Sequence, residues 1–236
     1  MISETHNIDC MELMQRYPDN YFDLAVVDPP YGIGFDNTYV RGGMGEKVAN
    51  RYKIVSRLNT DGKMSGWDSS IPREDYFLEL FRISKNQIIW GGNYFPYLWQ
   101  NGCKGFIFWY KHQPVDNFAK GELAWTSFNK PANCFDYMYY GNINSDSNRN
   151  HPTQKPIALY DWIFEKYAKK GDKILDTHLG SQSSRIAAYK AGLDFVGAEL
   201  DKEYFEQGNK RFEDFKIQFE QEIGVEKVLN NQHRLF

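Results

Sequence analysis

Residues 173–184 read KILDTHLGSQSS, and this stretch decides the fold. A short apolar strand ends at Asp176, small residues follow around Gly180, and a helix is predicted to begin at Ser183. Small residues let a ligand approach the backbone closely, and the start of a helix offers free N–H groups. The pattern therefore predicts a strand, a ligand-binding turn and a helix over residues 183–191, with Gly192 as its C-terminal cap.

An acidic residue extends this pattern. Glu199 lies at the end of the next predicted strand, 19 residues after Gly180. In nucleotide-binding βαβ units, an acid at about this distance accepts hydrogen bonds from ribose hydroxyls. The loop lacks the G-x-G-x-x-G pattern of dinucleotide sites, so the segment favours another adenosine-containing cofactor. The alternative is an ordinary turn in which Glu199 is a surface acid.

Short apolar strands alternate with amphipathic helices along the rest of the chain, which is typical of an α/β fold with a largely parallel sheet. We predict strands over residues 24–27, 86–90, 105–110, 123–128, 173–176 and 195–199. We predict helices over residues 72–84, 156–169, 183–191 and 202–219. Two stretches without this periodicity, 36–68 and 132–150, are predicted loop insertions in a single domain that spans residues 1–236.

Composition narrows the class of protein. A chain of 236 residues with 25% charged residues and a net charge of −3 fits one globular domain. The three cysteines are odd in number and far apart, which argues against a disulfide framework and a CxxC metal site, and we expect no metal. Because no apolar run approaches the roughly 20 residues of a membrane helix and the N-terminus does not resemble a secretory signal, we expect a cytoplasmic protein.

Residues 28–31 read DPPY and directly follow the predicted strand over residues 24–27. Proline ends a strand, and the carboxyl ends of strands are where open α/β sheets bind ligands. The stiff turn holds the Asp28 carboxylate and the Pro29 carbonyl as neighbouring acceptors, which suits an amine with two N–H donors. Tyr31 adds a flat face for a planar ring. The motif predicts a site for a nucleobase amine; the alternative is a rigid turn with Tyr31 in the core.

The DPPY motif resembles the signature of S-adenosylmethionine-dependent DNA amino-methyltransferases, which methylate adenine N6 or cytosine N4. The catalytic motif precedes the cofactor loop, which is similar to the circularly permuted class of that family. Residues 151–156 (HPTQKP) resemble the lead-in to the cofactor unit of that class. Residues 197–199 resemble its ribose-binding strand, and residues 8–10 the segment beside the cofactor's adenine. Residues 85–95 and 122–128 look like compact phage and prophage members.

The resemblance implies a single Rossmann-like methyltransferase domain, with helices on both faces of a mostly parallel, twisted sheet. It implies methyl transfer from S-adenosylmethionine to a base flipped out of double-stranded DNA, and the Asp of DPPY favours adenine N6. It assigns catalysis to Asp28, Pro29, Pro30 and Tyr31. It assigns cofactor binding to Asp9, Cys10, Asp28, His151, Thr153, Gln154, Lys155, Asp176, His178, Leu179, Gly180, Ser181, Gln182, Ser183 and Glu199.

Within that set the resemblance places Lys155 and Thr153 near the methionine end of the cofactor and Glu199 on the ribose. His178 and Leu179 are expected to line the pocket. One departure from the family matters. Its loop usually reads Asp-Pro-Phe-x-Gly-Ser-Gly, whereas residues 176–182 read Asp-Thr-His-Leu-Gly-Ser-Gln, so Gln182 stands in place of the last glycine. This change either alters the geometry of the loop or weakens cofactor binding, and it leaves open an inactive, DNA-binding homologue.

The insertions over residues 36–68 and 132–150 are candidate DNA-binding segments, and the first is locally basic in a chain of net charge −3. We predict DNA phosphate contacts for Arg41, Lys47, Arg51, Lys53, Arg57 and Lys63. A solvated loop explains the same charges equally well. The methyl acceptor could instead be cytosine N4, an RNA base or a protein amide, because each offers a planar amine. We expect that the protein could form a homodimer.

Overall fold

The computed structural model describes residues 1–33, 68, 70–100, 102–116, 118–140, 143–144, 151 and 153–233, with side chains as far as residue 224. The strands are β1 Ser3–His6, β2 Leu24–Val27, β3 Gln87–Trp90, β4 Phe106–Tyr110, β5 Gly121–Thr126, β6 Asn133–Asp136, β7 Lys173–Asp176 and β8 Asp194–Ala198. The helices are α1 Cys10–Met14, α2 Glu74–Ile83, α3 Ile157–Tyr167, α4 Ser183–Ala191 and α5 Lys202–His233, with short 3-10 turns at Gly92–Tyr94 and Pro96–Trp99.

The described strands form one sheet in the order β1-β8-β7-β2-β3-β5-β4-β6. Neighbours pair in parallel except around β5, which is antiparallel to both β3 and β4. The other described strands therefore all end at one edge of the sheet, and β5 begins there. The predicted α/β fold with a mostly parallel sheet is confirmed.

The strand order reverses between β2 and β7. After β2 the chain continues to β3 on one side, whereas after β7 it continues to β8 on the other. Ligands bind in the crevice outside the carboxyl ends of strands at such a switch point. Because Ala25 lies opposite Leu175, the DPPY turn and the loop after Asp176 leave the sheet side by side.

Helices cover both faces of the sheet, as predicted. Along β2, Leu24 and Val26 join the core under α3 and α4, whereas Ala25 and Val27 join the core under α1 and α2. All four residues are buried, which explains a continuous apolar run without alternation. Burying each of the larger side chains stabilises the fold by roughly 1.5–3 kcal/mol.

Several boundaries differ from the prediction. The strand predicted over residues 123–128 is β5, which begins earlier because Gly121 pairs with Tyr110. The predicted loop over residues 132–150 is wrong at its start, where β6 adds a strand beside β4. β6 is a four-residue edge strand in which only Phe135 is buried, so no apolar alternation signals it. The pattern also missed β1 and α1, and α5 extends beyond residue 219, to His233. Among the described residues, no helix combines the length and apolar character required to span a membrane.

Candidate active site

Asp28 is the first residue after β2 and lies at the switch point of the sheet, with its side chain 18% exposed. The turn that follows it is fixed by Asp68, a buried residue whose carboxylate accepts hydrogen bonds from Tyr31 N–H at 2.8 Å and Gly32 N–H at 2.9 Å. Asp68 is a site residue that sequence reasoning missed. It is the last residue of the predicted insertion over residues 36–68, and no local pattern in the sequence distinguishes it from any other acidic residue.

The Tyr31 side chain is folded back onto the motif. Its hydroxyl donates a hydrogen bond to Asp28 Oδ1 at 2.6 Å, and its ring stacks on Tyr94 with centroids 5.0 Å apart. Gly91 has φ +69°, and a Cβ there would lie 2.1 Å from Tyr31 Cε1, so only glycine lets the ring lie where it does. Burial holds the pKa of Tyr31 well above its usual value, so the hydroxyl stays protonated. Stacking of Tyr31 on a base remains a prediction.

Lys155 is 3% exposed and reaches into the same cluster. Its ammonium donates to Asp28 Oδ2, lies 3.2 Å from Glu122 Oε2 and donates to the Tyr31 hydroxyl at 3.3 Å. Burial alone lowers the pKa of Lys155, but the charges of Asp28 and Glu122 outweigh burial and raise it, so the side chain is an ammonium. The resemblance assigns Lys155 to the cofactor; in the structure its nearest partner is Asp28 of the DPPY motif.

Glu122 reaches this cluster because β5 runs opposite to its neighbours and begins at the carboxyl edge of the sheet. One of its oxygens accepts a hydrogen bond from Lys111, the residue that follows β4. Burial raises the pKa of Glu122, but Lys155 and Lys111 outweigh burial and lower it to about 2. Sequence reasoning missed both residues, because the direction of β5 becomes known only from its pairing.

The loop after β7 contacts Glu199, as their spacing indicates. Gly180 has φ +46°, and its N–H donates to Glu199 Oε2 at 2.8 Å. The other oxygen, Oε1, accepts from Asp201 N–H at 2.9 Å. Burial is the main cause of the raised pKa of Glu199. A Cβ on Gly197 would lie 2.4 Å from Leu179 Cδ2, so this glycine is required for the loop to pack on β8.

Asp176 ends β7 and is 2% exposed. Its carboxyl group accepts hydrogen bonds from the Ser184 hydroxyl at 2.5 Å and from His178 N–H at 3.0 Å. Burial outweighs these hydrogen bonds and raises the pKa of Asp176 to about 7. The group therefore helps to shape the loop and titrates near neutral pH.

His178 is a neutral imidazole, because burial lowers its pKa to about 4. Its Nδ1 lies 2.9 Å from the Thr177 hydroxyl, which in turn lies 2.7 Å from the hydroxyl of buried Tyr76. The Tyr76 ring also meets the His178 ring edge-on, with centroids 5.5 Å apart. Tyr76 and Thr177 thus support the loop, and sequence reasoning singled out neither.

Gln182 is the N-cap of α4 and adopts the left-handed conformation, with φ 61° and ψ 27°. Glycine adopts this conformation without steric cost, which accounts for a glycine at this position in the family loop. The side chain is fully buried, donates to Asn209 Oδ1 at 3.1 Å and accepts from Arg185 at 2.9 Å. It therefore fills the contact between α4 and α5, and the turn is kept although the glycine is lost.

The HPTQKP segment lies beside the loop. His151 packs edge-on against Tyr204, with centroids 4.4 Å apart, and is the nearest group to a Cβ built on Gly180, at 3.4 Å. The Thr153 hydroxyl lies 3.1 Å from His151 Nδ1, and the Gln154 carbonyl accepts from the Tyr139 hydroxyl at 3.0 Å. The segment therefore holds the loop from one side while Lys155 extends to Asp28.

Four further residues predicted to bind the cofactor, Ser181, Ser183, Asp9 and Cys10, make local contacts in the structure, and their contact with the cofactor stays a prediction. Ser181 and Ser183 lie with their hydroxyl oxygens 3.1 Å apart, and Arg211 donates to the Ser181 carbonyl at 2.6 Å. Asp9 caps α1 by accepting a hydrogen bond from Met11 N–H at 2.8 Å. Burial raises the pKa of the Cys10 thiol to about 12, so the thiol stays protonated and is a poor nucleophile.

The family model for DNA methylases matches residues 22–210, from the start of β2 into α5. This chain belongs to the DNA methylase family. It is 25% identical over 239 residues to the DNA adenine methyltransferase YhdJ of Escherichia coli, an alignment that covers 87% of this chain and 81% of the relative. The predicted family is confirmed.

Solved structures share the fold of this DNA methylase. A complex of M1.HpyAVI with SAM superimposes with a TM-score of 0.57 at 20% identity, covering 89% of this chain and 98% of the other. The cytosine-N4-specific PvuII DNA methyltransferase superimposes with a TM-score of 0.54 at 12% identity, covering 88% of this chain and 85% of the other. At these identities the likeness concerns the fold alone.

The residues around the loop of this DNA methylase fit an adenosine-containing cofactor. The two carboxylate oxygens of Glu199 lie beside Gly180, and two neighbouring acceptors of this kind suit the two hydroxyls of a ribose. Gly180 leaves room that a side chain would occupy, up to the His151 ring. The switch point thus carries two groups of predicted site residues: Asp28, Tyr31 and Lys155 beside β2, and Gly180, Glu199 and His151 beside β7. The predicted DNA contacts Arg41, Lys47, Arg51, Lys53, Arg57 and Lys63 all lie outside the described residues.

Proposed function

We propose that this DNA methylase transfers a methyl group from S-adenosylmethionine to N6 of adenine in DNA. The observation that carries the proposal is the position of the Asp28 carboxylate at the strand-order reversal, beside the loop that contacts Glu199. The proposal thus puts an acceptor for the amine and an acceptor for the ribose at the same carboxyl edge of the sheet. S-adenosylmethionine, when bound, supplies a methyl group on a positively charged sulfur, and the sulfur retains the electron pair of the broken bond.

The protein's own contribution is to orient the acceptor nitrogen. Asp28 Oδ2 and the Pro29 carbonyl accept the two N–H bonds of the amine, which directs the nitrogen lone pair out of the ring plane. The lone pair forms the new N–C bond, and the nitrogen then releases one proton toward the Asp28 carboxylate or solvent. The rate gain comes from orientation and from fixed charges rather than from a covalent intermediate.

In this proposal Glu199 binds the ribose, His178 and Leu179 line the pocket, and Thr153 lies toward the methionine end. The neutral state of His178 supports its place there, because a protonated imidazole would repel a sulfonium. Tyr31 presents a face to the flipped base. The basic residues between Arg41 and Lys63 contact DNA phosphates.

Adenine is preferred over cytosine N4 because the motif begins with Asp, and the 25% identity to a DNA adenine methyltransferase supports this choice. The experiment is to express the protein in cells that lack other DNA methylases and to map modified bases by sequencing, with Asp28→Ala as the control. We expect N6-methyladenine in one sequence context, absent from the control. N4-methylcytosine would overturn the choice of base. Unmodified DNA, together with no cofactor binding by calorimetry, would favour the non-catalytic homologue.

A further inference from the structure

The catalytic carboxylate is already occupied in this structure. Asp28 Oδ1 accepts from the Tyr31 hydroxyl at 2.6 Å, and Oδ2 accepts from the Lys155 ammonium. The proposed function requires this carboxylate to accept an N–H of the target amine. A bound base therefore competes with a charged donor for Asp28.

Lys155 cannot leave Asp28 by moving into water, because its side chain is 3% exposed. A buried ammonium that loses its counter-ion is strongly destabilised. Displacement of Lys155 from Asp28 therefore requires a second anion within the same buried cluster.

Glu122 is that anion. Its Oε2 atom is buried and lies 3.2 Å from Lys155 Nζ, yet it accepts no well-directed hydrogen bond from the described residues. Its other oxygen is held by Lys111. Oε2 thus already forms an ion pair with the ammonium that occupies Asp28, and it can still accept a direct hydrogen bond from that ammonium.

We propose that Glu122 is a positioning residue that takes over the Lys155 ammonium when the target amine binds Asp28. The inference rests on the proposed function. Asp28, Glu122, Lys155 and Lys111 together carry no net charge, and the shift of Lys155 from one carboxylate to the other leaves that sum unchanged. The site can therefore admit a neutral amine without leaving the buried ammonium unpaired, and the Asp28 carboxylate, which is 18% exposed, keeps hydrogen bonds from Tyr31 and from the amine.

The first test is Glu122→Gln, which keeps the shape of the side chain and removes its charge. Without this anion Lys155 stays on Asp28, so we expect insertion of the base to be impaired while cofactor affinity remains within about twofold of wild type. With DNA that keeps adenine at the mapped target position and carries 2-aminopurine as its neighbour, the fluorescence change on base flipping should be lost, and kcat/KM should fall on the order of tenfold or more. Glu122→Asp should recover part of both signals.

Asp161→Asn is the matched control, because Asp161 pairs with Lys190 at 2.5 Å in a half-exposed ion pair away from this cluster. It should behave like wild type. The double variant Glu122→Gln/Lys155→Met distinguishes positioning from a structural role. If Glu122 acts through Lys155, the Glu122 change should have little further effect on flipping once the ammonium is gone; a purely structural role gives additive losses.

Wild-type flipping and turnover by a folded Glu122→Gln protein would overturn this inference and leave the proposed function intact. If Glu122→Gln unfolds at a much lower temperature than wild type, the test of positioning rests on the Glu122→Asp variant and on the double variant. Additive losses of flipping in the double variant would then overturn the inference. An inactive wild-type protein that does not flip the base would overturn both proposals.

Discussion

The Lys155 ammonium lies against the Asp28 carboxylate, so a buried cation covers the first residue of the DPPY motif. The two residues are separated by 127 positions in the chain. Their contact links the HPTQKP segment to the DPPY motif.

Asp28→Ala should abolish methyl transfer and largely spare cofactor affinity. The variant removes the amine's charged acceptor, and losing one fixed electrostatic contact of this kind typically lowers kcat on the order of 10²–10³-fold or more. Radiolabelled methyl incorporation into DNA measures the loss, and calorimetry measures cofactor binding. Unchanged turnover in a folded Asp28→Ala protein would contradict the assignment of Asp28.

Gly91→Ala should displace the Tyr31 ring, because the new Cβ would lie 2.1 Å from Tyr31 Cε1. We expect a large loss of activity together with lower stability. Gly171→Ala is the matched control, since Gly171 has φ +89° and nothing within 4 Å of the added Cβ. That control carries only the backbone cost of about 1 kcal/mol. Thermal melting and methyl transfer, measured on both variants, separate the two effects; equal losses would contradict the packing argument.

Gln182→Gly and Gln182→Ala test how the loop keeps its turn without the family glycine. Both variants lose the hydrogen bonds to Asn209 and Arg185, but only glycine adopts φ 61° freely. We expect Gln182→Ala to be less stable than Gln182→Gly by about 1 kcal/mol in denaturant unfolding. Cofactor affinity should change little in either variant, because the glutamine side chain packs between α4 and α5. A large gain in affinity in Gln182→Gly would show that the glutamine impairs binding.

The pH dependence of stability should report Asp176. Its pKa rises from 3.8 in the unfolded chain to about 7 in the fold, so between these values the folded state binds more protons and this group makes stability fall as pH increases. His178 acts in the opposite sense, because its pKa falls from 6.5 to about 4. The two trends partly cancel in the wild type.

Asp176→Asn removes the decrease of stability with pH that Asp176 causes and leaves the increase that His178 causes. We therefore expect the free energy of unfolding of the variant, relative to wild type, to increase with pH from about 4 to about 7. Urea unfolding at several pH values gives this difference directly. A difference that does not change with pH would mean that Asp176 has an ordinary pKa in the fold.

Much of the fold followed from local pattern. The apolar runs of β2, β3 and β7 and the caps of α4 are set by neighbouring residues, so the sequence alone locates them. The edge strand β6 was missed, since its four residues are held by pairing with β4 rather than by an apolar pattern. Gln182 illustrates the same limit at one residue. The substitution is visible in the sequence, but the partners of its side chain include Asn209 of α5, 27 positions away.

The sequence by itself determined the family, the parallel α/β sheet and the two motifs at the switch point, because strand ends, prolines and small-residue loops are local signals. Only the tertiary structure decided which charges meet at Asp28. β5 runs against its neighbours, and that direction brings Glu122 and Lys111 to the edge where Lys155 arrives from another part of the chain. The opposite charges of Glu122 and Lys155 then outweigh their burial and keep both groups ionised, and this contact exists only in the folded chain.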